Sequence, residues 1–172
     1  MTGFRLDRGG LIERRQKINF RFNGQQVTGF KGDTIASALM ASGHMLVGRS
    51  FKYHRPRGIM SAGVEEGGAL FNTGDGAARV PNAKGTLTEI SEGLRVYSQN
   101  VFPSPQFDLG VVNGLIAPFI TAGFYYKTFM GPFANTKFWM LCERFIRRAA
   151  GLGQASREAD PSTYDIANGF CD

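Results

Sequence analysis

The densest group of chemically capable side chains is the run Arg49 to Arg57, RSFKYHRPR, where Arg49, Lys52, Arg55 and Arg57 alternate with Phe51, Tyr53 and His54. Arginine forks match phosphate oxygens, and neighbouring aromatics could stack on a base. No recognised nucleic-acid module flanks the run. A structural ion-pair network or a subunit interface is therefore the favoured reading, with Arg49, Lys52, His54, Arg55 and Arg57 kept as candidate nucleotide- or anion-contacting residues.

The other candidates are weaker in chemistry. His44 and His54 stand far apart, and no Cys or His lies at metal-ligand spacing from either. His44, just after Gly43, reads as a surface residue near a helix C-terminus, where a cation is favoured. Glu65 and Glu66 form an acidic pair, but adjacent residues on a strand face opposite ways, so the pair reads as solvated loop. Gly74-Asp75-Gly76 lacks the third glycine of a dinucleotide fingerprint, because position 79 is Arg. Cys142 falls on the apolar face of a predicted helix and reads as a small core residue, not a nucleophile. No catalytic residue and no metal site is expected.

The elements that must position these residues follow from periodicity. Ile18 to Phe22 alternates apolar and polar side chains, as a half-buried strand does. Asn23-Gly24 then predicts a two-residue hairpin turn, with Gln25 to Phe30 returning as the second strand. Asp33 is placed to cap a helix carrying Ile35, Ala36, Ala38, Leu39 and Met40, and Gly43 is placed to end it. A hairpin followed by a helix crossing the sheet opens a β-grasp domain. Eight glycines between residues 58 and 94 mark loops and short strands, with Val80, Leu87, Ile90 and Leu94 expected to close the sheet. Pro103, Pro105 and Pro118 among aromatics describe an extended arm. Phe138 to Ala149 is expected to be helical, with Glu143 and Arg147 paired across one turn.

Composition bounds the class. The 172 residues are 42% hydrophobic and 20% charged, enough for a buried core and against full disorder. Cys142 and Cys171, the two cysteines, cannot by themselves hold a four-thiolate cluster. Few cysteines and an N-terminus without an apolar leader favour the cytoplasm. Leu109 to Tyr126 carries no Asp, Glu, Lys or Arg over 18 residues, yet its Pro, Asn and Gly content argues for an apolar arm lying on protein, not a membrane span. Residues 1–57 hold 11 Lys and Arg against 3 Asp and Glu, a net +8. That bias leaves a polyanion-binding module as an alternative.

Gly32 to Leu39 (GDTIASAL), Val47 to Gly58 (VGRSFKYHRPRG) and Ala62 to Glu66 (AGVEE) resemble the N-terminal region of the α subunit of heterotetrameric sarcosine oxidase. Ser98 to Ser104, Gly123 to Met130 and Arg147 to Gly153 extend the resemblance over almost the whole chain. It implies an α+β fold: a tail (1–14), a ferredoxin-like β-grasp domain of [2Fe–2S] type (15–95), an extended apolar and aromatic arm (96–136), and a docking helix with a linker (137–172). Related amine and proline dehydrogenase subunits carry a [2Fe–2S] cluster on C-x₄-C-x₂-C plus a later Cys. The corresponding places here are Ser61, Glu66, Ala69 and Thr86, none a cysteine, so no cluster and no electron transfer are expected.

The resemblance further implies a flavoprotein β subunit and other partners, with NAD, FAD and FMN in the assembly and no cofactor on this chain. A dinucleotide-binding domain would follow residue 172, making the chain a truncated product or fragment, inactive alone. The assembly would demethylate sarcosine oxidatively to glycine, giving formaldehyde or methylene-tetrahydrofolate and hydrogen peroxide. A subunit of a related amine, proline or opine dehydrogenase is the alternative. Neither nucleic acid nor membrane is an expected partner.

Overall fold

The computed structural model describes residues 4–50, 53–115, 140 and 153–163. Apart from Met140, the expected helix at 138–149 lies outside them, as do the arm beyond residue 115, Lys52, Cys142 and Cys171. Strands β1 (Glu13–Phe22) and β2 (Gln25–Lys31) form the hairpin, with Phe22 opposite Gln25 and Phe20 opposite Val27. Asn23 (φ 48°) and Gly24 (φ 84°) both take positive φ, the requirement of the tight turn that matches strand twist. Side chains alternate as the pattern demands: Phe20, Phe22 and Val27 are buried while Arg21 and Gln26 face water.

Helix α1 (Ile35–Ala41) crosses this sheet. Its cap differs from expectation. Thr34 is the N-cap: its Oγ1 accepts from Ser37 N at 3.2 Å, and Ser37 Oγ accepts from Thr34 N at 2.9 Å, a reciprocal box. Asp33 is instead buried one residue earlier. It accepts from Phe30 N (2.8 Å) and Ser37 Oγ (2.8 Å), and a guanidinium fork from Arg5 reaches both its oxygens (2.6 and 3.1 Å). Both residues suit a cap; Asp33 is drawn inward because it also closes the β2–α1 turn and anchors the N-terminal segment. Gly43 (φ 81°) ends the helix as read: its N–H donates to Met40 O, and His44 N–H to Leu39 O. Gly29 lets α1 come close, since a Cβ there would meet Ile90 Cδ1 at 2.5 Å and Ala38 Cβ at 3.1 Å.

Two short strands, β3 (Gly48–Arg49) and β4 (Pro56–Arg57), pair with each other and fold the basic run into a hairpin. Strands β5 (Leu70–Thr73), β6 (Val80–Lys84) and β7 (Arg95–Ser98) complete a five-stranded mixed sheet in the order β2-β1-β7-β5-β6. β7 runs parallel to β1, with Phe22 opposite Val96, and antiparallel to β5. A parallel first and last strand at the centre, a hairpin on one side and a helix over one face is the β-grasp arrangement. Of the residues expected to close the sheet, Val80 lies in β6. Ile90 and Leu94 pack on the core from loops, and Leu87 is exposed.

The core gathers Phe20, Phe22, Val27, Ile35, Leu39, Val47, Ala69, Phe71, Ile90 and Val96. Phe22 sits edge-on to Phe71 at 6.0 Å and to His44 at 5.6 Å. His44 thus serves as a packing ring as well as a residue at the helix end. Among the described residues no helix is long and apolar enough to cross a membrane.

Candidate functional site

Five cationic or ring residues of the basic run are candidate ligand contacts, and of the four among the described residues the structure turns Arg49 and His54 inward. Arg49 Nε donates to Pro105 O at 2.8 Å, Nη1 to His54 O at 3.1 Å and Nη2 to Gln106 O at 3.5 Å. His54 takes a left-handed backbone (φ 51°) inside the β3–β4 loop, closed by Ser50 N donating to Arg55 O and His54 N to Ser50 O. That conformation aims its ring at Asp108: Nδ1 lies 2.6 Å from Asp108 Oδ2. Arg55 lies over the Tyr53 ring at 5.0 Å, and Arg57 is exposed. Within the described residues, then, the run works as a clamp on the following segment, chiefly by arginine-to-carbonyl bonds and not by the expected ion-pair network.

Asp108 is the clamp's anchor. Its Oδ1 accepts from Phe102 N (2.9 Å) and Gly110 N (3.1 Å), while Oδ2 meets His54. Burial pushes its carboxyl up, but the Phe102, His54 and Gly110 hydrogen bonds together outweigh burial and hold it below the usual carboxylate range. Gly110 packs on the imidazole so closely that a Cβ there would overlap the ring. Asn100 Nδ2 adds a bond to Ser50 O at 2.8 Å. Neither Asp108, Asn100 nor Gly110 was legible as a partner of His54. The one hint is that Asp108 is the last carboxylate before the uncharged stretch from Leu109.

Beside the clamp opens a cavity of about 690 Å³ lined by His54, Asn72, Arg79, Gln99, Asn100 and Asp108 among others. The Gln99 amide lies 2.9 Å from Asn72 Oδ1 and 3.1 Å from Asn82 Oδ1. The lining is amide-rich, and its carboxylate is already bonded to three donors. Asp75 is likewise engaged, by Arg95 at 2.7 Å and Tyr97 at 2.9 Å, which accounts for the glycine-flanked Asp without a nucleotide. Among the described residues no group of three His, Cys, Asp or Glu could hold a metal ion.

The four places of the cluster-ligand spacing do converge on one loop. Ser61 and Glu66 are hydrogen-bonded to each other, Gly85 N donates to Ala69 O at 2.9 Å, and Thr86 Oγ1 donates to Gly63 O at 2.6 Å. Their chemistry does not fit a [2Fe–2S] cluster. Ala69 offers a buried methyl, the Thr86 hydroxyl is spent on a carbonyl, and both Glu66 oxygens are taken by donors. The acidic pair divides sharply: Glu65 is solvated as read, but Glu66 is only 3% exposed, against expectation. The 3₁₀ turn over Gly63–Glu65 rotates the backbone between them.

Residues 15–101, just over half the chain, match the family described as a 2Fe-2S iron-sulfur cluster binding domain. Over its full length the chain is similar to sarcosine oxidase subunit alpha of Rhizobium meliloti (strain 1021), with 53% identity over 173 aligned positions. It spans 17% of that relative's length. Sarcosine oxidase subunit alpha of Corynebacterium sp. (strain U-96) is 47% identical over 66 residues, 38% of this chain and 7% of the relative. A crystal structure of L-proline dehydrogenase from P. horikoshii aligns over 52% of this chain and 16% of its own, at 16% identity and a TM-score of 0.38, too distant to argue from. The similarity accords with the N-terminal region of such alpha subunits, and by its fold and matched residues the chain belongs to the 2Fe-2S iron-sulfur cluster binding domain family.

Proposed function

We propose that this chain supplies the N-terminal scaffold of a sarcosine oxidase alpha subunit and holds no cluster itself. The observation that carries the reading is the 53% identity to an alpha subunit along the entire chain. In the assembled enzyme, sarcosine would be demethylated oxidatively to glycine, with formaldehyde or methylene-tetrahydrofolate and hydrogen peroxide as the other products. The flavin chemistry would lie on a β subunit, and NAD would bind farther along the alpha subunit. A cytoplasmic location belongs to the same reading.

The arrangement of the clamp supports a scaffolding role. Arg49 and His54 are used to fix residues 100–110, and that segment and the five residues after it present Phe102, Phe107, Val111, Val112 and Leu115 with half or more of each residue exposed. Apolar surface of this extent fits a face covered by other protein. The test is reconstitution. Alpha subunit lacking this chain's sequence, co-expressed with its partner subunits, should fail to assemble or lose sarcosine-dependent peroxide formation. Adding the chain alone to sarcosine should yield no peroxide. Full assembly and activity without it would overturn the proposal.

A further inference from the structure

Residues 60–68 fold around a single carboxylate. Glu66 Oε2 accepts from Met60 N and Ser61 N, each at 2.7 Å, with Ser61 Oγ at 3.5 Å; Oε1 accepts from Gly68 N at 2.6 Å. Gly63 takes a left-handed turn (φ 68°), and its carbonyl is tied down by Thr86, as Val64 O is by Lys84 Nζ at 3.1 Å. Gly68 is closely packed: a Cβ would sit 3.0 Å from Glu66 Oε1 and 3.3 Å from Gly58 O, so these neighbours would have to give way. The loop therefore converges its main-chain N–H groups on one buried negative charge, the geometry of an anion-binding nest.

Glu66 stands at the second position of the spacing Ser61-x₄-Glu66-x₂-Ala69…Thr86, where a cluster-bearing loop has thiolates. An iron–sulfur centre gives such a loop both covalent staples and acceptors for N–H groups. We infer that the Glu66 carboxylate has taken over the second of these roles: it is the internal anion that keeps the ligand loop folded without iron. The inference rests on the cluster-free reading above. A glutamine is no substitute, because its NH₂ would face an N–H donor on one side or the other.

The test compares the full chain with Glu66→Gln and Glu66→Ala, and with Glu65→Gln as an exposed neighbour. Hydrogen exchange should speed up by on the order of tenfold or more at the amides of Met60, Ser61 and Gly68 in Glu66→Ala, and on one side of the loop (Met60 with Ser61, or Gly68) in Glu66→Gln, where buried N–H groups lose their acceptor. Phe20 and Val27 amides should keep their protection in Glu66→Gln, and Glu65→Gln should match the parent throughout. Separately, the parent chain is incubated anaerobically with ferrous iron and sulfide, and bound iron and visible absorbance are measured. Stoichiometric iron would end the cluster-free reading and the inference with it. An iron-free parent whose loop exchange is unchanged in both Glu66 variants would overturn the inference alone.

Discussion

Asp108 satisfies three donors with two oxygens, and that economy sets its sensitivity. In Asp108→Ala the Phe102 and Gly110 amides lose their acceptor. A buried donor left without a partner costs about 1–3 kcal/mol, so the midpoint of urea unfolding should fall by that equivalent. Glu66 and Asp108 also share an acid response. Burial raises the Glu66 carboxyl, yet the Ser61, Gly68 and Met60 hydrogen bonds outweigh it and hold it low, as the Phe102, His54 and Gly110 bonds do for Asp108. Both groups then bind protons more weakly folded than unfolded. Their contribution is fully present above the ordinary carboxylate values, near ~4, and disappears as pH falls through the lower folded values. Stability should be flat from neutral pH to about 5 on this account and decline below about 4. Asp108→Ala combined with Glu66→Gln should be less stable at neutral pH and should lose less on acidification. An acid limb as steep as the parent's would count against it.

Among elements, α1 and the β1–β2 hairpin depend on Gly29 for their approach. Replacing it with Val drives a side chain into Ile90 and Ala38, and overpacking of this kind costs about 1–3 kcal/mol; thermal unfolding of Gly29→Val should shift down accordingly. The hairpin, its Asn23-Gly24 turn and the Gly43 stop were legible because each rests on local chemistry: alternation, positive φ, and an unpaired helix end. The cap was misjudged by one residue because Asp33 and Thr34 have similar local preferences. What separates them is Arg5, 28 positions away, which draws Asp33 inward. β7 was hard to see for a related reason. Four residues make little pattern, and its strand character comes from lying between β1 and β5. For the basic hairpin, counting charges could not tell that Arg49 and His54 point inward while Arg55 and Arg57 stay at the surface. The His54–Asp108 contact joins residues 54 positions apart with no periodic signal between them. Glu66 was missed because spacing identifies the ligand places, whereas burial of a carboxylate depends on how the loop turns.

At the scale of the whole molecule, the clamp divides the described residues into a sheet and a segment fastened to it. A chain ending after Gln99 would keep all seven strands but lose the carbonyls that hold Arg49 and the carboxylate that holds His54. Hydrogen exchange on such a chain should leave the β1, β2 and β5 amides protected while the β3–β4 hairpin loses protection; equal protection in the two chains would show that the hairpin stands without its clamp.

The pairing of Arg21 with Arg95 and Phe22 with Val96 has a bearing on birth at the ribosome. β1 leaves the exit tunnel ahead of β7 and can zip to β2 at once, but its other edge lacks the β7 neighbour until Arg95 to Ser98 have emerged. Through that interval Phe20 and Phe22 have only part of their cover, and closure waits on a contact between distant stretches of chain. The tight Asn23-Gly24 turn then acts as a holding device, keeping one edge of the first strand occupied until the last one arrives.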